Sequence, residues 1–514
     1  MAFGTQLQSI AASPRTSTPV LFARMTQSGT AGLVLLAVVV TLMQLLQGLN
    51  ADTSWLLTVA EHWHNGARLY IDILESNPPA AILSLIPCLW IADVTGIRPE
   101  TTIILLTSLA ALLSIELSLA FGAASGHRQH SAAYRLISGF ALLVLPVSIF
   151  AEREHLAVIA LWPMWHAMTI RTETGKISKP MKLLAGLGAG CAMALKPQFA
   201  LMILLPAIGV ALLRRNVRCL VAPEYWIAGS VLSLYGLGIY FLVPAYYQVM
   251  VPLVVDYYLP IRKPLSELLC AQVMPSMMFA LIGLFLVARD RLREAPLLLP
   301  LLTGLGGLLA VLQQAKGFGY HYYPMAAALF PALAGHAMVV AKTQLTGAPI
   351  RQRLPVAVGF LAITVSLVGM TFDFYGPSQP LLSFVQPIKA RFNHPRILSI
   401  SAHFWIGHPL TRDVDGIWVG AVPNQWITLG ALYRLDHGGE SVGTRATLQA
   451  AIEADKARTA QEIATKKPDV ILVEHDEAII PAWFVSQDAL RHFLEGYTRT
   501  ASLYKTIDVW MRQP

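Results

Sequence analysis

The chain has 514 residues, of which 55% are hydrophobic and only 13% charged, with a mean hydropathy of +0.55. A soluble globular chain carries about 25% charged residues, so composition excludes a soluble protein. Recurring apolar runs of about 18–20 residues, each able to cross ~30 Å of hydrocarbon as a helix, predict a polytopic α-helical membrane protein. The net charge of +8 is not a nucleic-acid signal, because the basic residues sit in short loops between apolar runs, where they set orientation.

The first 29 residues are polar, carry Arg15 and Arg24, and read as a cytoplasmic tail. The run 30–49 is too long for a signal-peptide core and is expected to remain as the first span. Residues 50–79 then read "NADTSWLLTVAEHWHNGARLYIDILESNPP", a polar and acidic stretch ending in a double proline. Segment 78–97 contains Pro78, Pro79 and Pro87; it is short for a span and reads as interfacial or re-entrant. Further spans are expected at 101–122, 136–151, 155–170, 183–195, 197–213, 224–247, 268–288, 296–313, 322–341 and 354–372, with 248–267 as a loop. That makes about eleven in all. Cys88, Cys191, Cys219 and Cys270 lie in or beside apolar runs without CxxC spacing. They are expected to be small buried hydrophobes, with no disulfide and no thiol-bound metal.

If 78–97 does not cross, the loops alternate in charge. One side receives Arg128, Arg135, Arg171, Lys176, Arg214, Arg215, Arg218, Arg289, Lys342 and their neighbours. The opposite side is poor in basic residues and rich in chemistry: "AEREH" at 151–155, "LKPQ" at 195–198, "DYYLPIRKP" at 256–264 and "QQAKGFGYHYYP" at 313–324. The positive-inside rule then places the first outer loop, 50–100, and the C-terminus outside. The expected location is a bacterial inner membrane, with residues 30–392 as the membrane region and 393–514 as a periplasmic α/β domain. In that domain 396–401, 417–422, 470–474 and 506–511 read as strands and 446–467 as an amphipathic helix. Trp405, Trp418 and Trp426 are expected in its core.

Ionisable groups near a membrane are costly, so their clustering at one face marks a functional site. Asp52 directly follows the first span and could act as a general base toward a hydroxyl or cap the helix starting at "DTSW". Glu152 and Glu154 supply further acid, or favour the positive end of the next helix. Arg153, Lys196, Lys316 and His321 offer cations and donors for a phosphate, although Lys196 could instead snorkel to the headgroups. Tyr320 and its neighbours can stack on a sugar or form an interfacial belt. Glu61, His62 and His64 have spacing compatible with a divalent metal, against a solvated loop; no metal ligand is assigned. Acid, phosphate-binding cations and lipid access together suggest transfer of a group from a lipid-linked phosphate.

This pattern resembles the GT-C class of membrane glycosyltransferases, which includes protein O-mannosyltransferases and lipid A aminoarabinose transferases. The resemblance rests on Asp52 after the first span, then Ala60, Gly66, Leu69, Tyr70, Asp72, Glu75, Asn77, Pro78 and Pro79. It also rests on the Gly186–Pro197 hairpin, the charged turn at 151–155 and the soluble region after the last span. It implies a GT-C-like fold with Asp52 as base, a polyprenyl-phosphate sugar donor, inversion at the sugar, and a lipid, glycan or protein acceptor. Glu152 or Glu154 would be the second acid, while Tyr70, Asp72, Glu75 and Asn77–Pro79 would shape the first loop. Thr53 stands where some members have a Glu. A transporter or flippase for a lipid-linked sugar is the alternative, but no repeated halves are visible. An oligosaccharide polymerase or ligase of another fold would be expected to need a larger late loop than 248–267.

Overall fold

The computed structural model describes residues 18–127, 131–270, 294–344 and 382–513 without 504–505, together with four positions between 354 and 361. Most of the expected spans 354–372 and 268–288 lies outside the described residues. Among the described residues, five helices are long and apolar enough to cross a membrane: Gly29–Gln47, Pro99–Ala123, Pro197–Arg214, Val217–Leu242 and Ala295–Gln314. The other apolar helices are shorter or less apolar.

The helices in chain order are α1 (Thr18–Gln47), α2 (Ala51–His64), α3 (Pro79–Leu83), α4 (Ile86–Thr95), α5 (Pro99–Ala123) and α6 (Ser131–Gly139). They continue with α7 (Arg153–Thr174), α8 (Lys179–Leu195), α9 (Leu201–Arg214), α10 (Pro223–Leu242), α11 (Ala295–Gln314) and α12 (Tyr323–Gln344). Small residues let the helices approach closely, as expected where lipid supplies no hydrophobic drive between them. At Gly188 of α8 a Cβ would fall 2.1 Å from the Ala160 carbonyl oxygen of α7.

Segment 78–97 forms the two short helices α3 and α4. Both its flanks touch the C-terminal region: Leu74 N–H donates to Ala421 O at 2.7 Å, and Arg98 Nη2 donates to Arg412 O at 3.2 Å. Pro79 sits at the first position of α3, where a missing N–H costs nothing. The expected loop 248–267 is instead wound from Tyr246 to Tyr258 in short π- and α-helical turns. The lack of clear 3.6-residue periodicity in this apolar and aromatic stretch hides that winding from the sequence.

The C-terminal region holds a five-stranded sheet of order β2-β1-β3-β5-β4. Its strands are β1 (Arg396–Ile400), β2 (Ile417–Trp418), β3 (Val470–Glu474), β4 (Tyr497–Leu503) and β5 (Ile507–Arg512). β1 runs parallel to β2 and β3, and β5 is antiparallel to β3 and β4. The helix Val442–Lys466 extends the expected one by a few residues. Of the expected strand 417–422 only two residues pair. β4 was not expected, because the polar run "YTRTASL" earns its place only by pairing at the sheet edge. One apolar core joins α1, α2, α5, part of α7 and α12 to the sheet, while α8, α9 and α10 pack with the rest of α7 in a second; within the first, α2 is buried continuously from Thr53 to Ala60.

Trp418 and Trp426 are buried as expected, but Trp405 is 38% exposed; its short turn packs on α2 with the indole left partly open. All four cysteines are free. Only Cys88 is buried; Cys191 and Cys270 are exposed on helix surfaces, where an apolar face is compatible with lipid.

Candidate active site

The charged motifs meet at the end of the helix bundle that the sheet covers. Asp52 stands in the first turn of α2, but it is not the cap. Asn50 is, accepting from Thr53 N–H at 2.8 Å. Asn50 also donates from Nδ2 to Phe150 O at 3.0 Å, which ties the start of α2 to the 151–155 turn. Asp52 Oδ1 in turn accepts from Arg153 Nη2 at 2.9 Å.

The turn that delivers Arg153 is over-determined. The chain leaves α6 through a π-turn at Phe140–Val144 and places Val147 and Ala151 at φ of 43° and 66°. A β-branched residue at positive φ is a genuine outlier, and such strain persists only when its surroundings impose it. Here Gln44 Nε2 donates to Val147 O at 2.8 Å, and Ala151 N–H donates to His155 Nδ1 at 3.1 Å. The buried His155, which sequence reading passed over, therefore holds the turn.

Around this turn the buried ions form one network. Glu154 pairs with Lys196, which stands in extended conformation before Pro197, as a residue preceding proline prefers. Lys196 Nζ also donates to Gln314 Oε1 at 3.4 Å. His321 Nε2 lies 3.9 Å from Glu154 Oε1. The Tyr320 ring packs under both cations, with Arg153 Cζ 5.7 Å and Lys196 Nζ 5.3 Å from its centroid. Lys316 stands apart from the acids: its Nζ donates to the Tyr258 and Ile261 carbonyls and lies 4.1 Å from the Tyr258 ring centroid. That pins the chain around 258–261 beside the site.

Burial pushes the Asp52 carboxyl above the usual carboxylate range, Arg153 pulls it back, and Glu154 adds to the rise. Burial, then the Asp52 and Glu154 carboxylates, push Glu152 well above its ordinary value, which favours its neutral acid. Burial, then the Lys196 charge, push His321 well below the ordinary imidazole value, so it is neutral. Burial brings Lys316 down to about 8, with Arg262 adding to the drop.

Four buried polar atoms in the network make no hydrogen bond within the chain: Glu152 Oε2, Arg153 Nε, Glu154 Oε2 and His321 Nδ1. Two of them, Arg153 Nε and Glu154 Oε2, face each other as an ion pair at 4.0 Å. Leaving a buried polar atom without a hydrogen bond costs about 1–3 kcal/mol.

The first loop supports the cluster from behind. Glu75 is buried and accepts from Trp55 Nε1, from Asn77 N–H at 2.7 Å and from the Asn77 side chain. Tyr70, held at φ 67°, donates its hydroxyl to Asn77 O at 2.7 Å, and Asp72 folds back on Arg68 at 2.7 Å. Pro78 and Pro79 then start α3. Glu61, His62 and His64 do not converge: Glu61 pairs with Arg412 at 2.6 Å and His64 with Asp93 at 2.8 Å. Among the described residues no group of three or more His, Cys, Asp or Glu could hold a metal.

No family model matches the chain, and no curated protein sequence does. Solved structures do match, over nearly its whole length. ArnT from Cupriavidus metallidurans bound to undecaprenyl phosphate aligns with a TM-score of 0.54 at 13% identity, covering 94% of this chain and 97% of that one. The chain shares its fold with ArnT. The apo state of ArnT from the same organism gives 0.53 at 14% identity, covering 94% and 98%. The ArnT-like fold is the architecture that the 50–79 motif implies, membrane helices followed by a C-terminal sheet. Within it, Gln314 and Tyr258 join the cluster without having been singled out, although both lie in the motifs at 313–324 and 256–264.

Proposed function

We propose that the protein is an inverting membrane glycosyltransferase that moves a sugar from a polyprenyl-phosphate donor to an acceptor hydroxyl at the outer face of the membrane. The observation that carries this reading is the buried Asp52–Arg153–Glu154–Lys196–His321 network with its spare hydrogen-bonding capacity. The ArnT-like fold supports it, since ArnT is seen with undecaprenyl phosphate.

In this mechanism Asp52 takes the proton of the acceptor hydroxyl, and the acceptor oxygen bonds to the anomeric carbon from the face opposite the phosphate. The bond from that carbon to the phosphate oxygen breaks, and the polyprenyl phosphate leaves with the electron pair. Arg153 and Lys196, buried and preorganised, stabilise the charge that grows on it. Glu154 keeps both cations in place, while neutral His321 and the protonated Glu152 are free to hydrogen-bond the phosphate or the sugar. Lys316 holds the 258–261 segment against the site.

The sheet-capped end is assigned to the periplasm from the loop charges. A reporter fused after residue 514 that works only in the cytoplasm would overturn that assignment. The activity itself is tested with purified protein in nanodiscs. Product is expected from a polyprenyl-phosphate sugar and none from a water-soluble nucleotide sugar without lipid carrier. Translocation of the lipid-linked sugar without product would mark a flippase instead.

A further inference from the structure

The parallel strands β1, β2 and β3 end on one edge of the sheet, and open sheets with parallel strands bind ligands beyond the carboxyl ends of those strands. In this protein that edge faces the membrane helices. After β1 the chain sends the turn Phe404–Ile406 onto α2, places the His408 ring 5.1 Å from that of Trp55, and lets Arg412 Nε donate to Ser54 O at 3.1 Å. After β2, Ala421 accepts from Leu74 N–H, and Trp426 reaches the Tyr258 ring at 6.5 Å. Ser54 is two residues from Asp52, and Tyr258 is the residue on which Lys316 sits. The carboxyl edge is therefore a roof beside the buried ion network.

Most of that roof is consumed by packing. Trp418 and Trp426 are 1% and 8% exposed. One group is left open. Trp405 is 38% exposed, and His403 lies beside it with ring centroids 6.2 Å apart. His403 is built into place. Its Nδ1 bonds Glu474 Oε1 at 2.8 Å, and Glu474 Oε2 accepts from Ala402 N–H at 2.8 Å and from His403 N–H at 3.3 Å. Asn424 donates its amide to Ala402 O and so locks the same loop. The buried Glu474 holds the loop in place, while the Trp405 indole and the His403 imidazole beside it are both partly open to solvent. A flat aromatic face next to fixed polar groups suits a sugar ring, which offers a C–H face and a rim of hydroxyls.

We propose that Trp405, with the His403–Glu474 pair beside it, forms an acceptor subsite that takes a sugar ring, so that the acceptor is a glycan or glycolipid. This rests on the glycosyltransferase reading above, but its test needs no transfer. Full-length protein in nanodiscs is probed with an array of bacterial envelope oligosaccharides, free and as glycolipids. Trp405→Ala, Trp405→Phe and Glu474→Gln variants are compared with the wild type.

The wild type should bind glycans of the array, and Glu474→Gln, which loosens the hold on His403, should bind them more weakly. Trp405→Ala should weaken that binding by roughly tenfold or more, and Trp405→Phe by only about threefold. Polyprenyl-phosphate binding should be the same in Trp405→Ala as in the wild type. Binding of free sugars would identify the ring alone as the ligand; binding of the glycolipid forms alone would add its lipid anchor. The subsite is overturned if no glycan binds, if Trp405→Ala binds as well as the wild type, or if Trp405→Ala loses attachment to empty lipid vesicles by the same factor, which would make Trp405 a membrane anchor. Glycan binding that persists in a protein without transferase activity would sink the glycosyltransferase reading and leave the subsite standing.

Discussion

Two buried arginines sit on either side of α2, and they are treated in opposite ways. Arg412, from the C-terminal region, places its five N–H donors in five bonds: Nε to Ser54 O, Nη1 to Glu61 and Glu100, and Nη2 to Thr58 and Glu61. Arg153, from the start of α7, makes one hydrogen bond, to Asp52, and its Nε meets Glu154 Oε2 only as a 4.0 Å ion pair without a hydrogen bond. The desolvation cost of a buried ion is met in the first case entirely by the protein. In the second it is met only in part. The difference separates a clamp that fixes the first loop against the C-terminal region from a network with hydrogen-bonding capacity to spare. Both act on the same short helix, so the clamp also sets the position of Asp52.

That contrast predicts distinct losses. The largest is expected for Asp52→Asn, which keeps size and hydrogen bonding but removes the base. Transfer should fall by about 10²- to 10⁴-fold, far more than the drop in melting temperature that follows from taking the countercharge from buried Arg153 would explain, and a loss of only a fewfold would leave Asp52 as a mere partner of Arg153. The same group sets a pH limit. Its carboxyl is raised by burial, so kcat/KM should fall as the pH drops through a value above that of an ordinary carboxylate, because protonation removes the base. An acid limb at the value of an exposed aspartate would contradict this.

Arg412→Ala removes five hydrogen bonds, leaving half-buried Glu61 without its partner and Glu100 with Arg98 alone, and should cost about 3 kcal/mol of stability. Thermal unfolding in detergent reads this directly, and an unshifted midpoint would show that the clamp is not what holds the two regions together. A smaller effect is expected when Lys196→Met is combined with Glu154→Gln, which removes the pair without stranding a buried charge. Polyprenyl-phosphate affinity should drop by about 1.5–3 kcal/mol, the worth of one charge-assisted contact. Unchanged affinity would take Lys196 out of the phosphate site. Least affected should be Glu152→Gln. Since Glu152 is held in its neutral form, an isosteric amide should alter transfer by only about threefold or less, and a large drop would mean that Glu152 works as a charged group.

Composition and periodicity were enough to read the membrane class, the helices that enclose the site, and the sheet strands at 396–400, 470–474 and 507–511. Each of these is a local pattern: an apolar run, or a short β-branched run between turns. The clustering of rare charged groups in an apolar chain was enough to single out Asp52, Arg153, Glu154, Lys196 and His321, because a charge near hydrocarbon is costly wherever the chain folds. Only tertiary structure could decide their pairing. Asp52 and Arg153 are 101 positions apart, Lys196 and Gln314 are 118 apart, and no local preference records such contacts. Tertiary structure also decided that Asn50 and not Asp52 caps α2, that His155 and Gln44 hold a strained turn, and that Glu61 answers Arg412 and not a metal. It left Trp405 open while burying Trp418 and Trp426. A tryptophan's preference for burial is the same at all three positions, and what differs is the neighbour that the fold brings to each.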